Sequence, residues 1–73
     1  MSEVLDVTGL KCPLPVLRAK KALKTIEPGM TLMVLATDPS AVKDFQAFCE
    51  TTGDTLVSQT HAEGVFTFVI RRR

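Results

Sequence analysis

The residues most able to do chemistry in this sequence are a cysteine and the two prolines that follow it at alternate positions. Cys12 precedes Pro13 and Pro15, and the apolar periodicity predicts a helix from about Pro13 to Thr25. Proline is tolerated in a first helical turn, so Cys12 should lie at the N-cap or just before it. The N–H groups and positive dipole end of a helix start favour anions, and Lys11 adds positive charge. We therefore expect a thiol that ionises more readily than a free one.

The remaining cysteine and histidine offer Cys12 no partner that the sequence can identify. Cys49 falls on the apolar side of a later predicted helix, where a core role is expected, and it lacks the C-x-x-C spacing of a dithiol. His61 is predicted in a turn, so a Cys–His hydrolase dyad is weakly supported. Two cysteines and one histidine do not make a zinc site, and we expect no metal and no cofactor. A single nucleophile without a base favours a carrier over an independent turnover enzyme. Such a carrier would accept a group on its sulfur, for example a sulfane sulfur atom held as a persulfide.

The first predicted helix has one apolar face and one basic face. Leu14 and Leu17 fall on the outer side close to Cys12, beside Arg18 and Lys21. Together with Lys11, these side chains predict a docking surface for an acidic partner, although partial burial of the two leucines is an alternative. The predicted buried face of this helix contains Val16, Ala19, Leu23 and Ile26.

The elements that position these residues alternate between strand and helix. Gly9 provides the turn that links the first strand to the Cys12 loop, and Asp38-Pro39 reads as the N-cap and first position of a second helix. The order is therefore βαβαββ, which predicts an α/β (α+β) two-layer sandwich with a four-stranded mixed sheet and both helices on one face. The predicted strands cover Val4–Val7, Met30–Thr37, Leu56–Thr60 and Val65–Ile70, with a hairpin turn at His61–Gly64 and an arginine tail that frays after the last strand.

Size and composition limit the class of protein. A chain of 73 residues is expected to form one domain, residues 1–73, with a thin core. The net charge of +1 does not predict nucleic-acid binding, and Tyr and Trp are absent. We see no secretion signal and no apolar run long enough to span a membrane, and two cysteines do not suggest a disulfide framework. We therefore expect a cytoplasmic protein that is not bound to membranes. Composition does not settle the oligomeric state, and we expect a monomer because a carrier must expose its sulfur.

The segment Leu5–Pro15 resembles the hallmark L-D-x-x-G-x-x-C-P-x-P of the TusA/SirA-like sulfur carrier family. The later Pro28-Gly29 turn and Asp38-Pro39 helix start also look like that family, so the resemblance spans essentially the whole chain. It implies a βαβαββ fold similar to the C-terminal domain of a bacterial translation initiation factor, with the last strand antiparallel to the others. Cys49 matches nothing in the hallmark.

The resemblance also implies a function for Cys12. In that family the cysteine carries a persulfide received from a cysteine desulfurase or a rhodanese-type donor and passes it to another sulfur-relay protein. The route usually ends in 2-thiouridine in tRNA, and other members serve sulfur oxidation, molybdenum-cofactor biosynthesis or selenium metabolism. Gly9, Pro13 and Pro15 would then position the loop. The rival hypothesis is an RNA-binding or regulatory module that uses the basic helix and the arginine tail, although direct nucleic-acid binding is not what the composition favours.

Overall fold

The computed structural model describes residues 2–73 and contains four strands and two helices in the order β1 (Ser2–Val7), α1 (Leu14–Leu23), β2 (Thr31–Ala36), α2 (Ala41–Thr52), β3 (Thr55–Ala62) and β4 (Val65–Arg71). The predicted βαβαββ order and two-layer architecture are confirmed. The four strands form one mixed sheet in the order β1-β2-β4-β3. β1 pairs with β2 in parallel, and β4 is antiparallel to both of its neighbours, β2 and β3.

The core lies between the sheet and the two helices. Along β2 the side chains alternate, and Leu32, Val34 and Ala36 are buried while the residues between them stay half-buried. This period of two places the buried set on the face that the helices cover. The ring of Phe45 from α2 packs against the ring of Phe68 from β4, with centroids 4.7 Å apart and the planes tilted by 33°. The buried residues are Val7, Pro15, Ala19, Leu23, Ile26, Leu32, Val34, Ala36, Ala41, Phe45, Cys49, Phe68 and Ile70.

The start of α2 differs from the prediction. Its N-cap is Ser40 rather than Asp38, and the helix begins at Ala41. The Asp38 carbonyl still accepts a hydrogen bond from the Ala41 N–H at 2.9 Å, so Asp38 belongs to the turn that leads into the helix. The prediction was wrong because Asp38 lies in the turn before the helix. Its Oδ1 accepts a hydrogen bond from the Ser40 N–H at 3.1 Å, and its Oδ2 accepts one from the Cys12 N–H, in the loop before α1, at 2.6 Å.

The β3–β4 hairpin is tighter than predicted. β3 continues to Ala62, so His61 lies in a strand, where its ring stacks on Phe66 at 4.1 Å between centroids. Only Glu63 and Gly64 form the turn, both with positive φ, 52° and 78°. Two such residues match a type I′ turn, whose twist suits the flanking strands.

The arginine tail does not fray as predicted. The Arg72 N–H donates to the Met30 carbonyl at 2.8 Å, and the Arg72 carbonyl accepts from the Gly29 N–H at 2.9 Å. The Arg72 guanidinium also donates to the Ile26 carbonyl. The Arg73 N–H donates to Asp54 Oδ1 at 2.9 Å. These bonds extend the β2–β4 pairing by one step and fix the chain end against the body of the protein.

Candidate functional site

The candidate site lies where the loops after β1 and β2 meet. Because these two strands are parallel and adjacent, their carboxyl ends lie at the same edge of the sheet. Two consecutive side chains of the second loop hold the first loop. Thr37 Oγ1 accepts a hydrogen bond from the Gly9 N–H at 2.8 Å, and Asp38 Oδ2 accepts one from the Cys12 N–H at 2.6 Å. The loop that carries the cysteine is therefore fixed at both of its ends.

Gly9 has the conformation that its predicted role requires. Its φ is +80°, in the left-handed region that favours glycine. The preceding turn is closed by Asp6, whose Oδ1 accepts hydrogen bonds from the Thr8 N–H at 2.9 Å and the Thr8 hydroxyl at 2.6 Å. This aspartate-led turn and the glycine redirect the chain from β1 toward α1.

The start of α1 agrees with the predicted position of Cys12. The N-cap is Pro13, the helix begins at Leu14, and Cys12 precedes both as an exposed residue with a free thiol. Pro15 occupies the second helical position, and its ring is buried, so it anchors the helix to the core as well as permitting its start. Cys49, by contrast, is buried in α2 with 6% of its surface exposed, in line with the predicted core role.

The expectation of a readily ionised thiol is wrong. A hydrogen bond with Asp44, desolvation, and the charges of Asp44 and Asp38 raise the pKa of Cys12 above its ordinary value. The helix start is also poorer in N–H groups than a usual one. Pro13 and Pro15 have no N–H, and the Cys12 N–H already donates to Asp38. The prolines that locate the helix start therefore also remove the donors that would have stabilised an anion there.

A groove of about 410 Å³ runs from Cys12 between α1 and α2. Its lining is largely apolar, with Val16 and Leu17 on α1 and Phe48 on α2. Lys20 and Asp44 supply charge on its two sides. A reactive sulfur at one end of an apolar groove is suited to meet a side chain or segment of another molecule.

The predicted docking residues divide into two groups. Leu17 lines the groove, while Leu14, Arg18 and Lys21 are exposed on α1 outside it. Lys11 lies on the other side of the loop, in a smaller depression that it shares with Asp38, and its charge helps to lower the pKa of that carboxyl. His61 is not among the residues that line the groove.

Several residues of this site were not found from the sequence. Thr37 and Asp38 were assigned only to a strand end and a helix cap, and neither Lys20 nor Asp44 was predicted to belong to the site. The parallel pairing of β1 and β2 is the signal that could have placed Asp38 beside Cys12. Within residues 2–73, no group of three His, Cys, Asp or Glu side chains is arranged to hold a metal ion. None of the helices in that same range is long and apolar enough to cross a membrane.

The fold and site define a class of small two-layer α/β sandwiches that hold an exposed, free cysteine before the first helix. The family model described as sulfurtransferase TusA matches residues 3–72, and the chain belongs to this family. The matched residues include Cys12-Pro13-Leu14-Pro15, the segment on which the predicted resemblance was based.

Relatives and one solved structure agree with this assignment. A protein of Neisseria meningitidis is 57% identical over 72 residues, which are 99% of this chain and 97% of that protein. The protein named sulfur carrier protein TusA of Allochromatium vinosum is 50% identical over 68 residues, 93% of this chain and 90% of its own. The crystal structure of a SirA-like protein from Desulfitobacterium hafniense matches with a TM-score of 0.82 and 32% identity, covering 97% of this chain and 96% of that one.

Proposed function

We propose that this chain is a sulfur carrier that accepts sulfane sulfur as a persulfide on Cys12 and passes it to an acceptor protein. The observation that supports this most is the exposed Cys12 thiol at the end of the α1–α2 groove. Membership of a family whose relatives are named sulfur carrier proteins points the same way. The chain acts as a carrier rather than as an enzyme that turns over alone, because the thiol needs a donor and an acceptor for each cycle.

The transfer is redox-neutral overall and requires no external oxidant or reductant. The Cys12 sulfur, as thiolate, attacks the terminal sulfur of a donor persulfide, forming one S–S bond while the donor's S–S bond breaks. The donor sulfur leaves as a thiolate and takes up the proton that Cys12 has lost. Delivery is the same step with the roles reversed, since an acceptor thiolate attacks the terminal sulfur and Cys12 leaves.

The loop and groove give each predicted residue a role in this cycle. Gly9, Pro13 and Pro15 position the loop so that the sulfur stays exposed. Leu14 and Leu17 supply apolar contact to the partner, which accords with their exposure of 43% and 53%. Lys11, Arg18 and Lys21 attract acidic partner surfaces.

The partners are those that the family resemblance implies. The donor is a cysteine desulfurase or a rhodanese-type protein, and the acceptor is a downstream sulfur-relay protein, on a route to 2-thiouridine in tRNA or related sulfur trafficking. We propose that residues 1–73 act as a single domain, monomeric and cytoplasmic, without membrane or direct nucleic-acid contact. A monomer leaves the groove and the thiol open to successive partners.

The RNA-binding alternative is not favoured by any observation here. It assumed a free basic tail, but the backbones of Arg72 and Arg73 are hydrogen-bonded to Met30, Gly29 and Asp54. The basic face of α1 remains, and it serves the docking role proposed above.

Mass spectrometry after incubation with a bacterial cysteine desulfurase and cysteine tests the proposal. Wild type should gain about 32 Da, the mass of one sulfur, as a persulfide that dithiothreitol removes. Cys12→Ser should gain nothing, and Cys49→Ser should behave as wild type. Sulfur gained by Cys12→Ser would overturn the assignment of Cys12 as the acceptor.

A further inference from the structure

Two carboxylates beside the Cys12 thiol have no role in the cycle described so far. Asp38, in the loop after β2, accepts the Cys12 N–H at 2.6 Å through Oδ2. Asp44, in the first turn of α2, lines the groove together with Cys12 and is half-buried. Both carboxylates act on Cys12, one from the loop after β2 and one from α2. A negative charge on the sulfur is therefore repelled by both.

The cations near the sulfur do not offset these two charges. Lys11, next to Cys12 in the chain, acts on Asp38, whose pKa its charge helps to lower. Lys20 lines the groove from α1, eight positions further along the chain and about two helical turns away. The charged groups nearest the thiol on the loop and the two helices are therefore Lys11, Lys20, Asp38 and Asp44. Lys11 lies on the other side of the loop, and the charges that act on the pKa of Cys12 are those of the two acids.

Every contribution from the surroundings of Cys12 raises the pKa of its thiol. The hydrogen bond with Asp44 is the largest, and desolvation and the charges of Asp44 and Asp38 add to it, so that the pKa of Cys12 rises above that of an ordinary cysteine. A thiolate is the nucleophile in sulfur transfer, so the free protein holds its sulfur in the less reactive form.

We propose that Asp38 and Asp44 keep Cys12 neutral in the free carrier, and that a sulfur-donor protein activates it by placing a cationic side chain against Asp44. This inference rests on the sulfur-carrier function proposed above. A cation at Asp44 offsets the charge that opposes the thiolate, and no further reactant is needed. The same carboxylates protect the loaded carrier, because a small thiol that attacks the terminal sulfur must expel Cys12 as a thiolate beside them.

Alkylation of the purified protein by iodoacetamide at pH 7 tests the first part. Asp44→Asn removes the carboxylate that opposes the thiolate, so it should react several-fold faster than wild type. Asp38→Asn should react faster by a smaller factor, since its charge is the last of the causes. Glu50→Gln removes an exposed acid of the same helix that does not line the groove and should react as wild type. Far-UV circular dichroism checks that each variant is folded, and an Asp44→Asn rate equal to or below wild type overturns the proposal.

Loading from two donors tests the role of the partner's cation. Asp44→Asn should accelerate loading from sodium tetrasulfide but not from a bacterial cysteine desulfurase with cysteine, because the docked donor already neutralises the carboxylate. Equal acceleration with both donors would contradict the partner's role. Failure of the sulfur-carrier function is distinguishable, since wild-type Cys12 would then gain no sulfur from the desulfurase whatever the alkylation rates.

Discussion

The carboxylate of Asp38 accepts a hydrogen bond from the backbone N–H of Cys12 across 26 positions of sequence, with 2.6 Å between Oδ2 and the nitrogen. Its other oxygen, Oδ1, accepts from the Ser40 N–H at 3.1 Å. One side chain thus joins the cysteine loop to the turn that begins α2. We expect the position of the Cys12 sulfur relative to the α1–α2 groove to depend on this link.

The hydrogen bonds that Asp38 accepts should make the thermal stability of the fold decrease at acid pH. Hydrogen bonds from Cys12 and Ser40 lower the pKa of Asp38 below its ordinary value of 3.8. A carboxyl with a lowered pKa in the folded state stabilises the fold fully above its unfolded pKa and loses that contribution as the pH falls through the folded value. We expect the difference in melting temperature between wild type and Asp38→Ala to be greatest at pH 5 to 7, about a few degrees, and to shrink toward pH 2.

Thermal melts followed by circular dichroism at several pH values measure this difference. Glu50→Ala, which removes an exposed acid from α2, is the matched control and should show a small difference at every pH. A difference for Asp38→Ala that stays constant down to pH 2 would mean that the ionised carboxylate does not hold the loop.

Substitution of Leu17 can test its proposed apolar contact with the partner without disturbing the fold, because the side chain is exposed. Leu17 is 53% exposed and lines the groove beside Cys12. Leu17→Asp places a charge where the partner's apolar surface should lie, so KM for loading by the desulfurase should rise about tenfold, or about 1.4 kcal/mol. The rate of iodoacetamide alkylation of Cys12 should fall slightly, because a new carboxylate disfavours the thiolate.

Val57→Asp supplies the comparison for Leu17→Asp. Val57 is exposed to a similar extent, 51%, but lies on β3, at the sheet edge opposite β1. Its substitution should leave KM unchanged. Equal effects of the two variants would show that a surface other than the groove, or the net charge alone, governs docking.

The two thiols should differ sharply in reactivity. Desolvation, with a smaller effect of Asp54, raises the pKa of Cys49 to about 11, and its side chain is buried in α2. A disulfide reagent such as dithionitrobenzoate should therefore modify one thiol readily in the folded protein and two in guanidinium chloride. Cys12→Ser should lose the ready thiol, whereas a folded protein that shows two equally fast thiols would contradict the buried position of Cys49.

Much of the fold follows from local signals in the sequence. Alternating and helical periodicities located every strand and helix. Gly53 ends α2 with φ of +84°, a left-handed conformation that favours glycine. The position of Cys12 before the first helix followed from Pro13 and Pro15 alone. These features depend on residues that are close together in the chain, so they can be predicted from the sequence alone.

The electrostatics of the site could not be predicted in that way. The effects of Asp38 and Asp44 on the thiol come from residues 26 and 32 positions away, brought close by the pairing of β1 with β2 and the packing of α2. A helix start taken alone favours an anion, and only the assembled fold shows that two carboxylates oppose it. The anchored tail is similar, because the bond from Arg73 to Asp54 requires β4 to lie beside β3.

The most direct test locates the transferred sulfur on the chain. Trypsin cleaves after Lys11 and Arg18 and after Lys43 and Arg71, so Cys12 and Cys49 fall in different peptides, 12–18 and 44–71. After loading by a cysteine desulfurase and trapping with iodoacetamide, tandem mass spectrometry should find the additional sulfur on peptide 12–18. The additional sulfur should be lost from peptide 12–18 when an acceptor protein is added before trapping. Sulfur found on peptide 44–71, or on neither peptide, would contradict Cys12 as the carrier of sulfane sulfur.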